Sequence, residues 1–147
     1  MKSKCNSIFF VIFLVFSFLI FGCDLKTDAL EYVNEEVSYA DGESCVERYL
    51  FYEEDETYER YIAGKYFGQD VPGTYFGTLF ESGVYKASAT SSRVSFSPKK
   101  QYDFETQRLE FLGLQGQVPY SGTLTDKTLT IPWRVRGGTV SIIYKRK

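Results

Sequence analysis

From Cys45 to Lys147, turn-forming residues interrupt the chain about every eight to twelve residues, and no segment between them carries a helical period. Pieces that short cannot stand alone as helices, so the core has to be built by pairing strands. The interrupters are Glu53-Glu54-Asp55-Glu56, Gly64, Gly68, Pro72-Gly73, Glu81-Ser82-Gly83, Pro98-Lys99-Lys100, Glu105-Thr106-Gln107, Asp126-Lys127 and Gly137-Gly138. Between them lie aromatic and β-branched runs: Val46–Tyr52 and Thr57–Ile62 form one hairpin, and Thr74–Phe80 and Val84–Thr90 read as a second, turning at Glu81-Ser82-Gly83. Arg93–Ser97 closes at Pro98, and Gln117–Thr125, Thr128–Val135 and Thr139–Lys145 form a meander. In the last of these, Val140, Ile142 and Tyr144 share one face, against Ser141, Ile143 and Lys145. About eight or nine short strands joined by local turns predict an all-β fold, an antiparallel up-and-down barrel.

Composition excludes much chemistry. The chain has no histidine, which removes imidazole bases, Ser-His and Cys-His pairs, and histidine-ligated metals. Its three cysteines have no metal-knuckle spacing, and no phosphate-cradling glycine loop or nucleophile elbow is present. The acidic run Glu53–Glu56 lacks the spacing of a calcium loop and reads as a solvated hairpin tip. Glu110, Glu105 and Asp103 sit on a short charged hairpin rather than as an acid–base pair. We therefore expect no catalytic residue, no metal, no cofactor, and no enzyme activity.

The N-terminus is of a different kind. Lys2 and Lys4 precede a run from Ile8 to Phe21 whose one polar member is Ser17, and Asp24 opens an acidic stretch after Gly22 and Cys23. As a helix the run rises about 21 Å, short of the roughly 30 Å hydrocarbon core, as in a secretory signal. The boundary Ile20-Phe21-Gly22-Cys23 resembles the lipobox of bacterial lipoproteins, in the relaxed form found among spirochaetes. That resemblance implies cleavage between Gly22 and Cys23, a diacylglycerol on the Cys23 thiol, and an acylated amino terminus. It divides the chain into a signal peptide (1–22), an acidic tether (23–44) and a β-barrel domain (45–147). It also implies a cell-envelope protein, held to a bacterial membrane through its N-terminal lipid, with the outer membrane or cell surface favoured over the inner membrane.

With Cys5 removed and Cys23 acylated, Cys45 is the remaining thiol, expected as a small buried hydrophobe. Residues 24–59 hold thirteen acidic and two basic side chains, whereas residues 60–147 hold thirteen basic and six acidic. Acidic N-terminal strands lying beside basic C-terminal ones would cancel this polarity. An acidic secreted chain predicts no nucleic-acid partner. Thr27-Asp28 could cap a short helical turn reaching Val37.

The glycine-aromatic strand starts Gly73-Thr74-Tyr75 and Gly83-Val84-Tyr85, and the closing run Tyr120-Ser121-Gly122-Thr123-Leu124 with Leu129-Thr130-Ile131, are similar to those of lipocalin-like (calycin) barrel lipoproteins. The resemblance implies a barrel that binds a small apolar or amphipathic ligand; on the residues themselves, Tyr75, Leu79, Phe104, Trp133 and Ile142 are core or pocket candidates, and Arg134, with Arg136 and Lys145, is a candidate for a barrel mouth that meets an acyl carboxylate. The alternative is a filled barrel, its interior packed with tyrosine and phenylalanine, acting as a structural or adhesive surface protein on a protein or polysaccharide.

Overall fold

A computed structural model describes residues 29–38, 44–73, 76–135 and 137–147. Gly22, Cys23, Tyr75 and Arg136 lie outside the described residues, as does the signal segment. Ten strands form one antiparallel sheet: β1 (Leu30–Ser38), β2 (Ser44–Tyr52), β3 (Thr57–Tyr66), β4 (Gln69–Val71), β5 (Thr78–Ala87), β6 (Arg93–Asp103), β7 (Arg108–Phe111), β8 (Tyr120–Leu124), β9 (Thr128–Val135) and β10 (Gly138–Arg146). Eight of them, β1-β2-β3-β5-β6-β8-β9-β10, follow one another round the wall, and β10 pairs β1 at Tyr32↔Arg146 and Val33↔Lys145 to close it. The two short strands are additions: β4 pairs the end of β3, and β7 pairs β6 beyond β8. The fold is thus the closed up-and-down barrel expected. Among the described residues its strands and core come from 30–146.

Alternation builds the inside. On β2, Cys45, Glu47, Tyr49 and Phe51 are all buried, and on β3 so are Tyr58, Arg60 and Ile62. Phe96 on β6 is the hub, with ring centroids 4.9 Å from Tyr58, 4.7 Å from Tyr120, 5.7 Å from Tyr49 and 5.8 Å from Phe51. These are edge-to-face, stacked and tilted contacts within the distance range over which aromatic pairs attract. At the end where β1 begins, the Tyr32 hydroxyl donates to the Thr125 carbonyl at 2.7 Å and ties β1 to the β8–β9 turn.

Three expectations are corrected. Leu30–Ser38, expected within the acidic tether, is barrel strand β1 and not a helical turn, so the barrel begins fifteen residues earlier than Cys45. Glu81-Ser82-Gly83 is not a turn; β5 runs straight through it, with Gly83 opposite Pro98. A Cβ on Gly83 would lie 2.2 Å from the Ser97 carbonyl oxygen, so this glycine permits the close approach of β6 rather than a reversal. Pro98 likewise does not end β6, which continues to Asp103 past an irregularity between Ser82 and Gly83 in the β5–β6 register.

The charge polarity cancels in part as expected. Acidic β1 lies against basic β10, and a groove of about 580 Å³ along their junction is lined by Glu35, Glu36, Lys145, Arg146 and Lys147. This seam is short in ladder pairs, and the Asn34 side chain spans it with a 2.9 Å bond to the Ile143 carbonyl.

Candidate functional site

The most unusual chemistry lies inside the barrel. Alternation on β2, β3 and β5 turns three charged side chains inward: Glu47, Arg60 and Glu81 are 0%, 1% and 4% exposed. Arg60 donates to Glu47 through Nη2 at 2.9 Å and Nε at 3.3 Å, and Tyr144 adds a 2.7 Å bond from β10. The guanidinium carbon lies 5.2–5.9 Å from the ring centroids of Trp133, Phe80, Tyr66 and Tyr49. Glu81 accepts from the Tyr58 hydroxyl at 2.7 Å and the Tyr120 hydroxyl at 2.6 Å, with Tyr49 3.3 Å from Tyr120. Charges taken out of water persist only when bonded in this way. The network spans β2, β3, β5, β8 and β10 and so fixes strands from both sides of the barrel.

Of the expected pocket residues, two are brought to this centre. Trp133 packs over Arg60 and lies 5.9 Å from Tyr120, and Ile142 is buried in the same core. The Trp133 Nε1 is buried with no acceptor among the described residues. Phe104 packs at the far end of the barrel with Tyr102 and Phe80. Leu79 pairs with Tyr61, on the opposite face of the wall from Arg60 and Ile62, and Arg134 is exposed. Cys45 is buried, 3% exposed, with its Sγ 3.9 Å from Glu47 Oε1.

Glu47, Arg60 and Glu81 were not expected here. For Glu47 and Arg60 the available signal was parity, since Cys45, Tyr49, Tyr58 and Ile62 flank them two residues away; Glu81 has no such signal, because the irregularity in the β3–β5 register breaks alternation beside it. As to chemistry, the Glu47 carboxylate is fully buried and bonded at both oxygens, and Glu81 takes two phenol hydroxyls on Oε1. No group of side chains suited to a metal occurs among the described residues.

Burial holds the phenols neutral. The hydroxyls of Tyr49, Tyr58 and Tyr120 titrate well above the ordinary phenol range, first because they are desolvated and then because Glu81 is near. Tyr52, beside Glu59, is pushed up to about 12. The unfolded chain sheds these protons near pH 10, whereas the folded chain retains them, so above that pH the unfolded state binds fewer protons. Stability is therefore full below about pH 10 and falls as pH rises through the raised values. In an alkaline titration, near-UV dichroism and phenolate absorbance should change together, above pH 10. The full phenolate absorbance appearing at the ordinary phenol pH while the fold persists would contradict the buried network.

No family model matches the chain, and no curated protein and no solved structure matches it.

Proposed function

We propose that this chain is a lipid-anchored envelope protein whose filled barrel is a rigid, non-enzymatic scaffold that meets a protein partner through its outer surface. The observation that carries the reading is the occupied axis. Tyr49, Phe51, Tyr58, Phe96 and Tyr144 are each 0% exposed, and the Glu47–Arg60 pair is buried among them. An eight-stranded barrel is just wide enough for side chains to fill, and here large rings and a hydrogen-bonded ionic network do so. The anchor rests on Gly22 and Cys23 at the change from apolar to acidic sequence.

A protein partner is favoured over a polysaccharide by the edge of β10. Its pairing with β1 stops at Lys145, so among the described residues Gly138–Tyr144 has no ladder partner on that side, and Val140 and Ile143 are half exposed there. Such an edge accepts an added strand.

Trp133 favours a second reading. Its buried, unpartnered Nε1 could donate to an amphipathic ligand seated near Arg60. As the only tryptophan, Trp133 reports on this directly. Titration with fatty acids and retinoids should leave its emission unchanged; a saturable shift would replace the scaffold reading with the ligand reading. Separately, protein made from the full chain in a bacterium with an outer membrane should begin at Cys23 and carry the mass of the acyl chains. An unmodified chain beginning at Met1 would remove the anchor.

A further inference from the structure

The exposed apolar side chains of the barrel include a cluster on one connection. Between β7 and β8, Phe111, Leu114 and Val118 are 79%, 92% and 68% exposed. The run Phe111–Gly122 contains no charged residue. Several of its polar groups are bonded within the loop or to β6. Leu112 N donates to Lys99 O, Gly116 N to Gly113 O and Val118 N to Gly116 O, each at 2.9 Å. The Gln117 side chain donates to the Leu112 carbonyl at 2.9 Å and accepts from Lys99 Nζ at 3.0 Å. These bonds shape the loop into a knuckle that carries its apolar side chains outward. Lys100, whose Nζ is 4.5 Å from the Phe111 ring centroid, stands at its base, as do Lys99, Arg108 and Glu110.

We infer that this knuckle rests in the interfacial layer of the membrane that carries the anchor, with Phe111, Leu114 and Val118 among the lipids and the two lysines at head-group level. The inference builds on the lipid anchor proposed above. The six residues 24–29 between Cys23 and β1 span at most ~21 Å even when extended, which keeps the barrel close to the bilayer. β8 joins β6 at Phe96 and β7 joins it at Lys100. At a rise of about 3.3 Å per residue, these points lie roughly 10 and 23 Å along β6 from the end where the tether enters. β6 and β8 stand across the barrel from β1, so the tether has to reach round the wall as well; it permits this side to face the membrane, and the loop itself makes the selection. An uncharged loop with three exposed hydrophobes and lysines behind it suits an interface of acyl chains and phosphates. Docking it would turn a flexible attachment into a fixed orientation.

The test separates this from the anchor itself. Residues 23–147 can be coupled through Cys23 to vesicles of phosphatidylethanolamine and phosphatidylglycerol containing a thiol-reactive lipid, since Cys45 is buried. This imposes the attachment whether or not cells make it. Leu114→Trp is compared with Thr90→Trp, on the exposed loop at the end where the tether enters, using brominated lipids and subtracting the signal of the parent chain. Quenching of about twofold or more for Leu114→Trp and little for Thr90→Trp is expected. Equal quenching of both, or none at Leu114→Trp, overturns the inference, as does quenching that survives Phe111→Ser with Val118→Ser. A protein partner that covers the knuckle of the coupled chain and abolishes quenching would overturn it too. The anchor reading stands or falls independently, on the mass of the cell-made protein.

Discussion

Replacing Arg60 with methionine should cost about 3–5 kcal/mol of folding stability, a large part of the ~5–15 kcal/mol available to a domain of this size. The substitution keeps much of the side-chain volume, and the surrounding rings accept a thioether. It takes the counter-ion and both guanidinium bonds away from Glu47, which is fully buried. The cost is that of an uncompensated buried charge rather than of a lost contact. Arg60→Met together with Glu47→Leu should therefore recover most of the loss, because exchanging a buried pair for apolar groups of similar volume is often neutral or stabilising. Urea midpoints of the parent, the two single variants and the double variant give the coupling. A double variant as weak as Arg60→Met alone would mean that the pair does not act as a unit.

Gly83→Ala should be the next most damaging small change. The added methyl would meet the Ser97 carbonyl oxygen at 2.2 Å and Pro98 Cα at 3.0 Å, both backbone atoms that cannot swing aside. Relief requires β5 and β6 to part where their register is already irregular, and overpacking of this kind costs about 1–3 kcal/mol or more. The control is Gly113→Ala, where a Cβ would meet nothing within 4 Å. That variant should unfold within about 0.5 kcal/mol of the parent, or slightly later through a less flexible unfolded chain. Equal midpoints for the two would show that β5 and β6 are not packed as described.

The same glycine shows where sequence reading stops. Glu81-Ser82-Gly83 has the composition of a bulged turn, and what makes it a strand is the carbonyl of Ser97, which local pattern does not reveal. β1 escaped notice for a related reason. Its inward residues Tyr32 and Val37 lose strict alternation at the irregularity between Asn34 and Val37, and its partner β10 lies more than a hundred residues away. Where pairing is local, the reading carried through: the hairpin of β2 and β3 and the meander of β8, β9 and β10 were legible from their turns and alternation.

For the interior, Trp133 and Ile142 lie at the centre as expected, whereas Arg134, expected in the pocket with them, is exposed because it alternates with Trp133 on β9. Leu79 was misassigned because the register shift between Arg60 and Tyr61 changes which β5 residues face inward. Glu47, Arg60 and Glu81 were passed over because isolated charges in strands usually face solvent. Only the closed wall brings them together with Tyr58, Tyr120 and Tyr144.

The filled interior is the claim on which the scaffold reading depends. Native mass spectrometry of the chain from Asp24 to Lys147, purified gently and compared before and after organic extraction, tests it most directly. A single species at the polypeptide mass in both samples is expected. A removable mass of roughly a few hundred daltons would show a ligand inside the barrel and contradict the account.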